Sequence, residues 1–311
     1  MEENLTTSDI KVSMPLYEIR ISVTGACNHD CFYCGPFSDG KHDYGYANFG
    51  LDQVEGISGL AKENNLHVRL TGGEPSMRTD LLDIVKLLSH NGIDDIGLTT
   101  NCSNVDGRDI SNLADAGLGA LHIHVPSLNR SVFEDTIRKK VRRELINIIE
   151  TSEYCKRNNV RVEFNTPVTR VNLDSLPELM SFCYDRKINL KLIEEVNMKK
   201  DQINETEITE LMENWLSERG SMPMSEKIEK VYGSVYNFDD FFFRIAPATP
   251  DLVDHLQGKE RKILLDGRYW IGGRNGNYLF TPSYFLKPME GDIGDLKRDF
   301  NHSLGLYNEK K

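Results

Sequence analysis

Tyr17-Glu18-Ile19-Arg20-Ile21-Ser22-Val23-Thr24, followed after two residues by Cys27-Asn28-His29-Asp30-Cys31-Phe32-Tyr33-Cys34, decides the fold. The first half alternates apolar and polar residues, the period of a β-strand. The second half places three thiols within eight residues, directly after that strand. Thiolates select zinc, copper(I) or iron–sulfur clusters. A structural zinc site normally closes with four protein ligands, so three is the informative number. Three thiolates on a four-iron cluster leave one iron open to a substrate or cofactor. A zinc loop completed by His29 or His42 is the competing reading.

Downstream, the pattern of strand, turn and helix repeats. Leu51 to Asn64 carries Val54, Ile57 and Leu60 at helical spacing, and Leu66 to Thr71 is a short strand broken by Gly72-Gly73-Glu74-Pro75. Thr79 or Asp80 can cap a helix with Leu81, Leu82, Ile84, Val85, Leu87 and Leu88 on its apolar face. Ile96 to Thr100 is a strand ending in Asn101, Asp109 to Ala116 is helical, and Gly117 suits its C-cap. Ala120 to Val125, Val160 to Asn165 and Ile188 to Ile193 add strands. Helices within Arg138 to Asn158, over Leu176 to Lys187, and up to about Ser217 alternate with them. Six strands each followed by a helix predict a parallel sheet with helices outside. Chemistry in such folds gathers at the C-terminal strand ends. The cysteines, the Gly-Gly-Glu-Pro turn and Thr100-Asn101 all stand there. From about Gly220 the texture changes to short β-like runs, Phe241 to Ile245, Lys262 to Leu265, Arg268 to Ile271 and Asn277 to Phe280. Asp266-Gly267 and Asn275-Gly276 read as hairpin turns, and the charged tail reads as frayed.

The fold class expected is α/β, a partial (β/α)6 TIM-like barrel over residues 1–219. A small, mostly-β appendage over 220–311 is expected to cover the substrate. The 311 residues include 39% hydrophobic and 27% charged, ordinary values for a globular protein. No run of 18 apolar residues exists, and Met1 to Ser13 lacks a basic or apolar signal region, so no membrane partner and a cytoplasmic location are expected. Six cysteines, three in one motif, fit a reducing compartment better than a disulfide framework. A net charge of −11 disfavours a nucleic-acid partner, whose phosphates are neutralised by Lys and Arg.

Cys-x3-Cys-x2-Cys after a first strand, Gly-Gly-Glu-Pro after a second and Thr99-Thr100-Asn101 after a third resemble the radical SAM superfamily. The nearest likeness is to the molybdenum-cofactor GTP cyclase subgroup. It runs through Arg69-Leu70-Thr71-Gly72-Gly73-Glu74-Pro75 and Leu113-Ala114-Asp115-Ala116-Gly117-Leu118 and covers about residues 15–200. The resemblance implies that Cys27, Cys31 and Cys34 hold one 4Fe–4S cluster whose open iron chelates S-adenosylmethionine. Reductive cleavage would then give a 5′-deoxyadenosyl radical that abstracts hydrogen from a substrate carbon. It further implies Gly72 and Gly73 beside the methionine amine, Glu74 as an anionic or structural anchor, and Tyr33 beside the adenine. Thr100 or Asn101 would bond ribose or substrate, and an electron donor such as a flavodoxin or ferredoxin would be needed.

This chain also departs from that subgroup. The cyclase carries a second cluster on three late cysteines, and no cysteine follows Cys183 here. Glu260 and Lys262 stand where the cyclase has substrate-binding arginines. Glu163 stands for a substrate-contacting lysine, and His124 for a serine at the end of the fourth strand. Arg20 and Arg69 alone match its triphosphate ligands. GTP cyclisation is therefore not expected. The expected substrate is a small polar metabolite such as a nucleotide or sugar derivative, with Arg20, Arg69, Glu163 and Arg268 as candidate contacts. The alternatives are a ribosomally made peptide, or a non-catalytic iron–sulfur protein.

Other signals have plainer readings. Cys102, Cys155 and Cys183 read as buried side chains, with Cys102 the candidate for a hydrogen-donating thiol because it follows Asn101. His122 and His124 share one strand face, either as core histidines bonded to backbone or as cofactor and substrate contacts. Arg138-Lys139-Lys140-Val141-Arg142-Arg143 reads as a solvated helix face, with a phosphate or an acidic electron donor as the alternative.

Overall fold

The computed structural model describes residues 10–12, 17–34, 50–141, 143–195, 203–220, 224–227, 234–246, 263–265, 268–274, 277–281 and 289–309. After the short β1 (Ile10–Val12), six strands form the parallel centre: β2 (Glu18–Ser22), β3 (His67–Thr71), β4 (Ile96–Thr100), β5 (Leu118–His124), β6 (Arg161–Val168) and β7 (Asn189–Glu194). Helices α1 (Leu51–Glu63), α2 (Leu81–His90), α3 (Gly107–Asp115), α4 (Arg130–Ile137), α5 (Glu144–Arg157), α6 (Leu176–Asp185) and α7 (Glu205–Arg219) lie between and after them. Strands covered on both faces have little need of polar residues. Ile19, Ile21, Leu70, Leu98, Leu121, Ile123, Phe164 and Leu190 are accordingly fully buried.

One helix start differs from the sequence expectation, and one helix was not expected. The third helix begins at Gly107 because Asp106 accepts from the N–H groups of Arg108 and Asp109, and Asp109 returns the bond. The long helix expected within Arg138 to Asn158 is α5 alone. An additional helix, α4, precedes the basic run, started by Asn129 accepting from the N–H groups of Ser131 and Val132. Arg138 ends α4 in the left-handed region at φ 53°, so the basic run is a connector rather than a helix face.

The strands after Gly220 continue the barrel's own sheet at both edges. β8 (Met224–Lys227), β9 (Ser234–Phe238) and β10 (Phe241–Ala246) extend one edge, β10 running parallel to β7. At the other edge β12 (Arg268–Arg274) runs parallel to β2 and carries β13 (Asn277–Thr281) and β14 (Met289–Gly291). The partial barrel thus gains a parallel strand on each side. β12 and β13 pair antiparallel, with Arg274 opposite Asn277, while the expected Asn275-Gly276 turn lies outside the described residues. Asp266-Gly267, expected as a hairpin turn, lies outside the described residues; β11 (Ile263–Leu265) on one side of it pairs with β1, and β12 on the other with β2 and β13. The expected frayed tail is instead α8 (Ile293–Glu309), anchored by fully buried Leu296 and Phe300. Phe238, Phe241 and Phe243 form an aromatic cluster with Tyr184 and Trp215, so this run is core. No helix among the described residues is long and apolar enough to cross a membrane.

Candidate functional site

The cysteine loop leaves β2 and is tied to the next strand end by backbone bonds. Gly73 N–H donates to Thr24 O at 2.7 Å and Glu74 N–H to Ala26 O at 2.8 Å. Only glycine permits this approach. A Cβ on Gly72, where φ is +146°, would stand 2.5 Å from Thr24 O, and one on Gly73 would stand 2.2 Å from Ala26 O. On its other side the loop is held by the last turn of α4, whose Ile137 and Thr136 carbonyls accept from the N–H groups of Asp30 and Phe32. Lys139 Nζ donates to Asn28 O at 2.6 Å.

Glu74 links three strand ends. Its carboxylate, 1% exposed, accepts from Thr100 Oγ1 at 2.6 Å, Asn101 N–H at 2.6 Å and Ser76 N–H at 3.0 Å. Burial pushes its pKa up, and those donors pull it back towards the charged form. Asn101 Nδ2 then donates to Asn28 Oδ1, and Asn28 Nδ2 to Ser103 Oγ, which brings the end of β4 to the cysteine loop. Of the two anchor roles expected of Glu74, these bonds supply the structural one. Thr100 and Asn101, expected at ribose or substrate, both brace the rim.

Cys27, Cys31 and Cys34 are half-buried thiols outside any disulfide, and Cys27 Sγ accepts from His29 N–H at 3.4 Å. His29, Cys31 and His124 have ligand atoms within 4.8 Å of one another. A zinc site on that set would use one thiol of three, and His42 lies outside the described residues. Three reduced thiols on one loop, braced by glycines that hold it against the next turn, fit a thiolate-held cluster.

Tyr33 reaches His124: its hydroxyl bonds Nε2, and the ring centroids are 5.9 Å apart. Burial, then the nearby His29, pulls His124 down to about 3, so the ring is neutral at ordinary pH. Burial, then Cys31, pushes the Tyr33 phenol well up. Cys102 does not join them. With φ at 56° and no exposure, it sits in the core beneath the rim, near Glu74, Thr100, Thr151 and Cys155, in keeping with its reading as a buried side chain.

Deeper in the barrel is a charged floor. Glu18 accepts from Arg20 Nε at 2.6 Å and Arg69 Nη2 at 2.8 Å. The Arg69 guanidinium lies over Gly97, where a Cβ would stand 3.0 Å from Nε. Across the sheet, Glu163 accepts from Arg244 Nη2 at 2.7 Å and bonds His122 Nδ1 at 3.1 Å. His122 is therefore bonded to a carboxylate rather than to backbone. Burial, then Arg69, lowers its pKa to about 4. Burial alone would raise Glu163, but Arg244 and His122 bring it well below the usual carboxylate range. Arg69 Nε, His122 Nε2, Asn165 Oδ1 and Arg244 Nε are buried polar atoms to which no group bonds among the described residues.

Of the sequence-chosen contacts, Arg20 and Arg69 share Glu18, and Glu163 holds the second group. Arg268 is placed by its backbone opposite Glu18. Glu260 and Lys262 lie outside the described residues. Sequence reasoning missed Glu18 and Arg244. The signals were Glu18 two residues before Arg20 on one strand face, and Arg244 as a lone cation between Phe243 and Ile245.

A mostly parallel barrel with a three-cysteine loop at its C-terminal rim defines an iron–sulfur barrel protein. The chain belongs to the radical SAM superfamily, whose family profile matches residues 21–183. That superfamily comprises enzymes that use a 4Fe–4S cluster and S-adenosylmethionine. The GTP 3',8-cyclase of Pectobacterium atrosepticum is 35% identical over 184 residues, 57% of this chain and 54% of that protein. The probable GTP 3',8-cyclase of Sulfolobus acidocaldarius is 32% identical over 185 residues, covering 58% and 56%. The chain spans about half the length of the curated relatives it matches. Among solved structures, Streptococcus suis SuiB bound to S-adenosylmethionine is similar at TM-score 0.63 and 15% identity, over 91% of this chain and 64% of that one. Native anSMEcpe with bound AdoMet is similar at TM-score 0.57 and 12% identity, over 94% and 82%. At these identities the likeness concerns the fold.

Proposed function

We propose that this chain is a radical SAM enzyme acting on a small polar metabolite, a nucleotide or sugar derivative. Cys27, Cys31 and Cys34 hold the cluster, and Gly72 and Gly73 form the cradle beside it. When bound there, the cluster and S-adenosylmethionine would supply radical hydrogen-abstraction chemistry. Tyr33 and His124 form one wall at this rim, and burial keeps His124 neutral. Glu74, Thr100, Asn101 and Asn28 hold the rim loops in register.

The charged floor carries the substrate reading. Four cations, Arg20, Arg69, Lys191 and Arg244, face two carboxylates, Glu18 and Glu163, and buried donors remain for a ligand. Buried polar atoms left without partners cost about 1–3 kcal/mol each, so this interior favours a polar guest over an apolar one. The relatives' nucleotide substrate supports the class. A triphosphate fits less well, because Arg20 and Arg69 already share Glu18 and an acid, Glu163, stands where the cyclase has a lysine.

The test supplies deuterated nucleotides and nucleotide sugars, or a deuterated peptide mixture, to the reconstituted protein and follows deuterium into 5′-deoxyadenosine. Transfer from the metabolites is expected. Arg244→Gln should lower it about 10- to 100-fold, the loss of a hydrogen bond to a charged group. Transfer from peptides alone would overturn the substrate class.

A further inference from the structure

Arg138-Lys139-Lys140-Val141-Arg142-Arg143 holds five cations in six residues, within a chain of net charge −11. No window of six outside it holds more than three. A solvated helix face would account for exposure alone, but this connector is folded onto the cysteine loop. Lys139 Nζ donates to Asn28 O at 2.6 Å, and the Arg138 guanidinium stands 5.8 Å from the centroid of the Phe32 ring. The helix turn just before it takes the N–H groups of Asp30 and Phe32. Arg138, Lys139, Lys140 and Arg143 are exposed, and Ile146, in the first turn of α5, is 50% exposed. Among the described residues the acidic neighbours are Glu134, occupied by Lys140 and Arg130, Glu144, which accepts from the Arg143 N–H, and Asp30 and Asp135, close in sequence to Phe32 and Arg138.

We propose that this basic connector, together with the adjoining rim of the cysteine loop, is the docking surface for an acidic one-electron donor protein. The occupant is a small, negatively charged redox protein whose redox group lies near its own surface. Two acidic proteins repel at long range. A local patch of the opposite sign acts within the Debye length, about 10 Å at 0.1 M salt, and sets both the encounter rate and its orientation. The patch touches Asn28 and Phe32, each beside a cysteine ligand, so a donor seated there lies against the loop that carries the cluster ligands. One electron leaves the reduced donor, which is oxidised by one unit, and enters the cluster, which is reduced by one. No bond is made or broken and no proton moves. The inference rests on the cluster assigned to Cys27, Cys31 and Cys34.

The experiment titrates an acidic flavodoxin onto the reconstituted protein by calorimetry, and separately compares flavodoxin-driven with dithionite-driven cluster reduction. Lys140→Gln combined with Arg143→Glu is expected to weaken flavodoxin binding about tenfold or more at about 0.1 M salt. The ratio of flavodoxin-driven to dithionite-driven rates should fall by a similar factor. Lys86→Glu, on the exposed face of α2, should change neither. Equal affinity and an equal ratio in the double variant, or an equal loss in Lys86→Glu, would overturn the proposal. If dithionite reduces no cluster in the unmodified protein, the cluster reading fails, and the calorimetric comparison still decides the docking surface.

Discussion

Cys31→Ala is expected to reduce iron from about four per chain to a trace, with S-adenosylmethionine cleavage falling to background. No other cysteine can take its place. Cys102, Cys155 and Cys183 are fully buried, and burial pushes the Cys155 thiol up to about 12, away from the thiolate a metal requires. His29 and His124 lie close to Cys31, so they are the groups that could hold a different metal after the change. Iron and zinc analysis together cover both cases. The helices and strands do not depend on the Cys31 side chain, so the circular dichroism spectrum should stay as it is. Retained iron and cleavage would remove Cys31 from the ligand set.

Gly73→Ala should disable the site from the opposite side of the loop. The added Cβ would meet Ala26 O at 2.2 Å and Ala26 C at 2.6 Å, both backbone atoms that no rotamer change can move. Either the loop shifts or the bonds from Gly73 N–H to Thr24 O and Glu74 N–H to Ala26 O are lost. Two such bonds at about 1 kcal/mol each, with overpacking of about 1–3 kcal/mol, place the loss at about 3–5 kcal/mol. The urea midpoint should fall, and cleavage with it, since the same shift displaces Cys27. Gly59→Ala serves as the comparison. It lies inside α1 with nothing near its added Cβ, and alanine gains roughly 0.5–1 kcal/mol in a helix. Equal midpoints for the two variants would show that the two rim loops do not need their close approach.

The features that sequence exposed were local ones. Period-two apolar runs ended in Cys27, Gly72 and Thr100, so the six-stranded centre and its rim could be read without knowing any contact. Pairings over long separations were not legible. Arg244 meets Glu163 across 81 positions, and Lys139 meets Asn28 across 111. A strand signal also names no neighbour. Arg268 to Ile271 read correctly as a strand, but its place beside β2 depends on the whole sheet. Cys102 illustrates a limit of another kind. Its position next to Asn101 suggested the rim, and one left-handed residue turned its sulfur into the core. The missed helix α4 was legible, since Asn129 stood as a capping residue before Val132, Phe133, Thr136 and Ile137. The adjacent charge run drew the helix expectation away from it.

The most direct test of the central claim is anaerobic reconstitution with iron and sulfide, followed by S-adenosylmethionine and dithionite. Iron per chain and 5′-deoxyadenosine are then measured on the same sample. The account predicts about four irons, the content of one cluster held by Cys27, Cys31 and Cys34, together with 5′-deoxyadenosine. About eight irons, a single zinc, or a cluster that yields no 5′-deoxyadenosine would contradict it.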